Sequence, residues 1–127
     1  MNIVLVDDDS DYRELTALAL QGCGVRNIRE FDGPRTALSM LGEWKASADL
    51  VLLDYHLPGT TGLALMRKLR SLGCDAPVAL LSAADLDEDR CTLEGALAVL
   101  KKPCGGTDDL AESLQRLTLE VTGRRAV

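Results

Sequence analysis

A chain of 127 residues, 46% hydrophobic and 27% charged, has the composition of one globular domain large enough for its own core. Its net charge of −6 argues against a nucleic-acid or anionic-membrane binder, and no apolar run approaches a membrane span. Met1-Asn2-Ile3-Val4 lacks the basic segment and long apolar stretch of a signal peptide, so a cytoplasmic protein is expected.

Ile3-Val4-Leu5-Val6 opens the chain as a continuous apolar run, the pattern of a parallel strand buried on both faces. Asp7, Asp8 and Asp9 follow at once. Asp9 or Ser10 suffices to cap a helix, so capping explains one acid well and three poorly. Arg26–Phe31 reads as a second strand whose Arg26, Arg29 and Glu30 put it at a sheet edge, where charge deters pairing with other chains. Pro34 suits the start of a second helix carrying Ala37, Leu38, Leu41 and Trp44. Leu50-Val51-Leu52-Leu53 is a third strand ending at Asp54, and Leu65, Met66, Leu69 and Leu72 stripe the next helix.

Val78-Ala79-Leu80-Leu81 is a fourth strand, followed by Ser82. Asp85 and Glu88 have capping-box spacing ahead of a helix that ends near Gly95. Leu97-Ala98-Val99-Leu100 is the fifth strand, with Lys102 one residue past it. In the last helix Leu110, Leu114, Leu117 and Val121 share a face, with Thr107 as N-cap and Asp108 and Asp109 in the first turn. Residues 1–122 form the expected domain, and 123–127 a tail or the start of a linker. Met66 and Trp44 read as core. Cys23, Cys74, Cys91 and Cys104 form no C-x-x-C pair and read as ordinary thiols.

Five strand–helix units with right-handed crossovers make an α/β doubly wound parallel sheet. By analogy with known sheets of this kind the order is the flavodoxin-like 2-1-3-4-5, which opens a crevice at the carboxyl ends of strands one and three. Asp54 then faces Asp7 and Asp8. Carboxylates that close resist ionising together unless a cation joins them, and a hard divalent ion, Mg²⁺ or Mn²⁺, suits such oxygen ligands. Ser82 and Lys102 fall on the same rim. A lone serine there is usually a turn residue and a lone lysine a solvated charge. Beside a metal site and a carboxylate nucleophile, they complete a set suited to phosphoryl transfer.

Four fragments carry a family resemblance: Val4-Leu5-Val6-Asp7-Asp8-Asp9, Leu52-Leu53-Asp54-Tyr55-His56-Leu57-Pro58-Gly59-Thr60-Thr61-Gly62, Leu80-Leu81-Ser82-Ala83 and Leu100-Lys101-Lys102-Pro103. In this order, at successive strand ends, they resemble response-regulator receiver domains over residues 2–121. The resemblance implies that Asp54 is the phospho-acceptor and Asp7 and Asp8 the metal acids, with the backbone carbonyl of His56 as a further ligand. It makes Ser82 the hydroxyl that follows the phosphoryl group and Lys102 the active-site lysine. It also marks Lys102–Pro103 as a candidate cis peptide. The implied partners are a sensor histidine kinase or histidine phosphotransfer protein and a downstream target or fused output domain, without direct contact to nucleic acid or membrane.

Two positions depart from the family pattern. Val99 stands where many receivers carry an aromatic residue, and Cys104 follows Lys-Pro in place of an apolar aromatic. The expectation is intact chemistry with unusual signalling output. His56, two residues past the acceptor, reads as an exposed loop residue, with a sharper reading in which its side chain tunes the lifetime of the phosphorylated state. A phosphorylation-independent interaction module is the serious alternative. A hydrolase is a weaker one, because His56 stands where an aspartate acid/base is common and no phosphate loop or nucleophile elbow appears.

Overall fold

The computed structural model describes residues 1–102 and 108–125. Its elements in chain order are β1 (Asn2–Val6), α1 (Ser10–Gly22), β2 (Asn27–Phe31), α2 (Pro34–Ser39), α3 (Leu41–Trp44) and β3 (Leu50–Asp54). There follow β4 (His56–Leu57), β5 (Thr60–Thr61), α4 (Gly62–Ser71), β6 (Val78–Ser82), α5 (Glu88–Leu93), β7 (Ala98–Lys101) and α6 (Asp108–Arg125). The five long strands form one parallel sheet in the order β2-β1-β3-β6-β7, which is 2-1-3-4-5 when they are counted along the chain. β4 and β5 make a separate antiparallel hairpin.

The apolar runs are continuous because both faces of the sheet are covered, and side chains alternate between faces along a strand. Val4, Val6, Val51, Leu53, Val78 and Leu80 pack toward the layer with Ala37, Trp44, Met66, Leu69 and Cys91. Ile3, Leu5, Leu50, Leu52, Ala79 and Leu81 pack toward α1 and α6, meeting Leu20, Leu114, Leu117 and Val121. Each buried leucine contributes roughly 1.5–3 kcal/mol through the surface it removes from water. Trp44 is core, as expected, and its indole N–H donates to Ala37 O at 3.0 Å. Charged β2 lies at the edge, also as expected.

Local details differ from the sequence reading. The second helix is broken at Met40 (φ −102°, ψ 7°), so Pro34 opens a short helix and Leu41 a second. The cap of α5 is Asp87, whose carboxylate accepts from Arg90 N at 3.1 Å, and not Asp85. Asp85 lies two residues before that cap, and its carboxylate pairs with Lys101 Nζ at 2.9 Å. Gly95, with φ +115°, does follow the end of that helix. α6 continues to Arg125, three residues into the segment expected to be a tail. Thr107, Pro103 and Cys104 lie outside the described residues. Cys74 and Cys91 are buried thiols and Cys23 is half-buried. Among the described residues no helix is long and apolar enough to cross a membrane.

Candidate functional site

Register places the acids before any side-chain contact is considered. Val6 pairs with Leu53, so the next residues, Asp7 and Asp54, leave the sheet side by side. Asp54 pairs with Leu81 and Ser82 with Lys101, which brings Ser82 and Lys102 to the same rim. Carboxylate oxygens of Asp7, Asp8 and Asp54 all lie within 4.8 Å of one another. Lys102 Nζ stands 2.9 Å from Asp7 Oδ2 and 3.3 Å from Asp54 Oδ2. Asp7, Asp54, Ser82 and Lys102 are buried, whereas Asp8 is exposed at the mouth.

Burying charge is unfavourable unless it is paired, and the pocket pairs it only partly. Burial pushes the Asp54 carboxyl up to about 7, with the charge of Asp7 adding to the rise and Lys102 opposing it. Burial pulls the Lys102 ammonium down, but its contact with Asp7 and the charges of Asp7 and Asp54 outweigh this and raise it overall. Repulsion among the acids was expected to call for a metal. Within the chain Lys102 already answers part of it. With all three acids ionised, one ammonium leaves two negative charges, which matches one divalent cation.

The donor set fits such an ion. Three carboxylates are hard oxygen ligands, and opposite ligands of Mg²⁺ lie about 4 Å apart, close to the spread of these oxygens. The buried Oδ2 of Asp7 accepts no hydrogen bond of good geometry, so it keeps ligand capacity beside its ion pair. Asp7 Oδ1 instead accepts from Asp9 N at 2.9 Å.

The surrounding backbone holds the acids in place. Asp9 caps α1, accepting from Asp11 N and Tyr12 N at 3.0 and 3.2 Å, so one acid of the three is spent on capping. His56 N donates to Asp54 Oδ1 at 3.3 Å, and Ala84 N donates to Ser82 Oγ at 3.1 Å. The β4–β5 hairpin turns at Pro58-Gly59, where Gly59 has φ +73°, and folds back so that Gly62 N donates to Tyr55 O at 2.7 Å.

Gly62 matters because a Cβ there would lie 2.5 Å from the Asp54 backbone oxygen. Backbone cannot yield as a flexible side chain can. Gly62→Ala is expected to destabilise the protein by roughly 1–3 kcal/mol, as overpacking does, and to displace Asp54. Urea unfolding measures the first effect. A variant as stable as the parent would mean the hairpin is not pressed against Asp54.

The candidate site residues within the described part of the chain can now be located. Asp7, Asp8, Asp54 and Lys102 converge. Ser82 is buried at the neighbouring strand end. The His56 side chain is exposed, its ring edge-on to Tyr55 at 5.1 Å between centroids. Val99 is half-buried and packs against the core layer that contains Leu80, Cys91 and Ala96. The sequence reading missed two residues of α1. Arg13 Nη1 donates to Asp7 O at 2.8 Å, and the Tyr12 ring centroid lies 4.6 Å from Lys102 Nζ. Only their place in the first helical turn after the acids could have pointed to them.

Comparison with known proteins agrees with this geometry. The profile of the response regulator receiver domain family matches residues 3–115. The alkaline phosphatase synthesis transcriptional regulatory protein SphR of Synechococcus elongatus is 39% identical over 112 residues, covering 81% of this chain and 43% of SphR. A response regulator receiver domain protein from Clostridium thermocellum superposes with a TM-score of 0.82 at 23% identity, covering 98% of this chain and 96% of that one. A chain of the CheX–CheY–BeF3–Mg²⁺ complex from Borrelia burgdorferi gives a TM-score of 0.79 at 23% identity, covering 92% and 86%. These two share the fold. The chain spans less than half the length of SphR and of several other curated relatives.

Proposed function

Because this chain belongs to the response-regulator receiver family, a signalling switch in place of an enzyme with outside substrates, we propose that Asp54 accepts a phosphoryl group. The donor is a phosphohistidine on a sensor histidine kinase or a histidine phosphotransfer protein. The observation that carries this reading is the Lys102 ammonium beside the Asp54 carboxylate, in a pocket that still has negative charge to neutralise.

In the proposed reaction an Asp54 oxygen attacks phosphorus and the P–N bond of the donor breaks. Its electron pair returns to the imidazole, and Asp54 becomes an acyl phosphate. The transition state spreads charge over the phosphoryl oxygens, so positioned cations and hydrogen-bond donors lower the barrier. Lys102 serves as the cation fixed in the chain, and Ser82 donates its hydroxyl proton to a phosphoryl oxygen. Asp7, Asp8, Asp54 and the His56 carbonyl would hold Mg²⁺, which would supply further positive charge to the phosphoryl oxygens. Burial raises the Asp54 carboxyl even with Lys102 opposing it, and a bound cation would favour the carboxylate that the attack requires.

Phosphorylation gives Ser82 and Lys102 a new partner, and both sit at the ends of neighbouring strands, so β6 and β7 are the natural readout. With Val99 in place of a ring, that readout has no aromatic side chain to rotate between buried and exposed positions. His56 lies two residues past the acceptor with its ring exposed, and it is suited to modulating hydrolysis. Incubation with acetyl phosphate and Mg²⁺, followed by intact-mass measurement, tests the proposal. One added phosphoryl group, absent when Mg²⁺ is chelated, is expected. No adduct under any donor would leave the phosphorylation-independent interaction module as the better reading.

A further inference from the structure

We infer that Tyr12 is a positioning residue for Lys102, its ring acting as a platform that keeps the ammonium aimed at Asp54. The inference rests on the phospho-acceptor reading above. Lysine has a flexible four-carbon stem and a compact charge, so nothing intrinsic fixes where its ammonium sits. Here Nζ lies 2.9 Å from Asp7 Oδ2, 3.3 Å from Asp54 Oδ2 and 4.6 Å from the Tyr12 ring centroid. A cation at that distance from a ring face is attracted by the ring's quadrupole, more strongly once desolvated, and Lys102 is only 6% exposed.

The backbone that carries the ring is well anchored. Tyr12 N donates to the Asp9 cap, and Tyr12 O accepts from the buried Thr16 hydroxyl at 2.8 Å. The next residue, Arg13, ties the same helical turn to Asp7 O and approaches Glu30 on the edge strand at 3.5 Å. The first turn of α1 is therefore fixed to the strand that carries the acids.

The platform matters most when the carboxylates change partners. A cation shared by Asp7 and Asp54 competes with Lys102 for both, and a phosphoryl group on Asp54 alters the other contact. The Tyr12 ring is the one neighbour of Nζ among these three that is not a metal-binding candidate. It keeps the ammonium in the pocket while its anionic contacts are exchanged.

The test separates this role from the phospho-acceptor reading. Protons on the Lys102 ε-carbon near the ring face should show an upfield NMR shift in the metal-free protein, retained in Tyr12→Phe and lost in Tyr12→Leu. That readout involves no phosphoryl group. With acetyl phosphate at saturating Mg²⁺, Tyr12→Leu should phosphorylate about 3- to 10-fold more slowly, from the usual strength of a cation–π contact. Tyr12→Phe should match the parent, and Mg²⁺ affinity measured by calorimetry should change little. In a Lys102→Ala background Tyr12→Leu should have no further effect.

An absent upfield shift, an undiminished rate in Tyr12→Leu, or an equal loss without Lys102 would each overturn the inference. If the parent takes no phosphoryl group while the shift is present, the acceptor reading fails and the positioning contact stands. Tyr12→Met, a second ring-free variant, replaces Tyr12→Leu if the latter unfolds.

Discussion

Replacing Asp54 with asparagine is expected to abolish phosphoryl uptake and to make the metal-free protein more stable at neutral pH. The two effects have one origin. In the folded pocket the Asp54 carboxyl is pushed up to about 7, first by burial and then by Asp7, against an ordinary value of 3.8. Between those values the folded state holds a proton that the unfolded state has released. Stability therefore falls as pH rises through that window, and the full cost is felt above about 7. Asparagine is nearly isosteric and never ionises, so it removes the cost.

The metal-free variant should exceed the parent by ~2 kcal/mol at pH 8, with the rim solvent moderating the full shift. The difference should vanish near pH 4. Added Mg²⁺ should reverse the order, because a ligand that binds only the folded state stabilises it, and the variant has lost a carboxylate ligand. Urea unfolding of both proteins, with EDTA and with Mg²⁺, measures all three. Equal midpoints at both pH values in EDTA would show that Asp54 is not the strained acid of the pocket.

How much of this could be read from the chain follows from what kind of force places each part. The long strands were legible to within a residue or two because burial on both faces leaves a continuous apolar run. Asp7, Asp54, Ser82 and Lys102 were legible because a parallel sheet collects its strand ends on one rim. Contacts across space were not. Asp85 has the spacing of a cap, yet the helix starts two residues later, where Asp87 caps it, and Asp85 pairs with Lys101 of β7. The break at Met40 carries no proline or glycine of its own, and the neighbouring Gly42 lies inside the helix that follows. Tyr12 and Arg13 read as ordinary first-turn residues until the fold sets them against Lys102 and Asp7. Gly62 stood in a quoted motif without a reason, and the Asp54 carbonyl supplies it.

Removing Lys102 should show that the lysine and the metal compete for one negative pocket. The ammonium is buried between Asp7 and Asp54 and, despite burial, is held more basic than an ordinary lysine by those two acids. Its stabilising contribution is fully present below the ordinary value of 10.5 and is lost only as pH climbs through the raised one. At neutral pH Lys102→Ala strands Asp7 without its cation and pushes the Asp54 carboxyl further toward its protonated form. Breaking a buried pair in this way destabilises by roughly 3–5 kcal/mol, so the metal-free variant should unfold at much lower urea than the parent.

Mg²⁺ should then recover more stability in the variant than it adds to the parent, because it no longer shares Asp7 and Asp54 with an ammonium. Calorimetry should find tighter Mg²⁺ binding. Phosphorylation by acetyl phosphate should nonetheless fall about 100-fold or more, the usual consequence of losing a positioned group that meets charge developing in the transition state. Tight metal binding with slow transfer separates the two cations: one neutralises the resting acids, and the other is needed when charge moves onto the phosphoryl oxygens. Weaker Mg²⁺ binding in Lys102→Ala would contradict this, since it would mean that the lysine organises the metal ligands and does not compete for them.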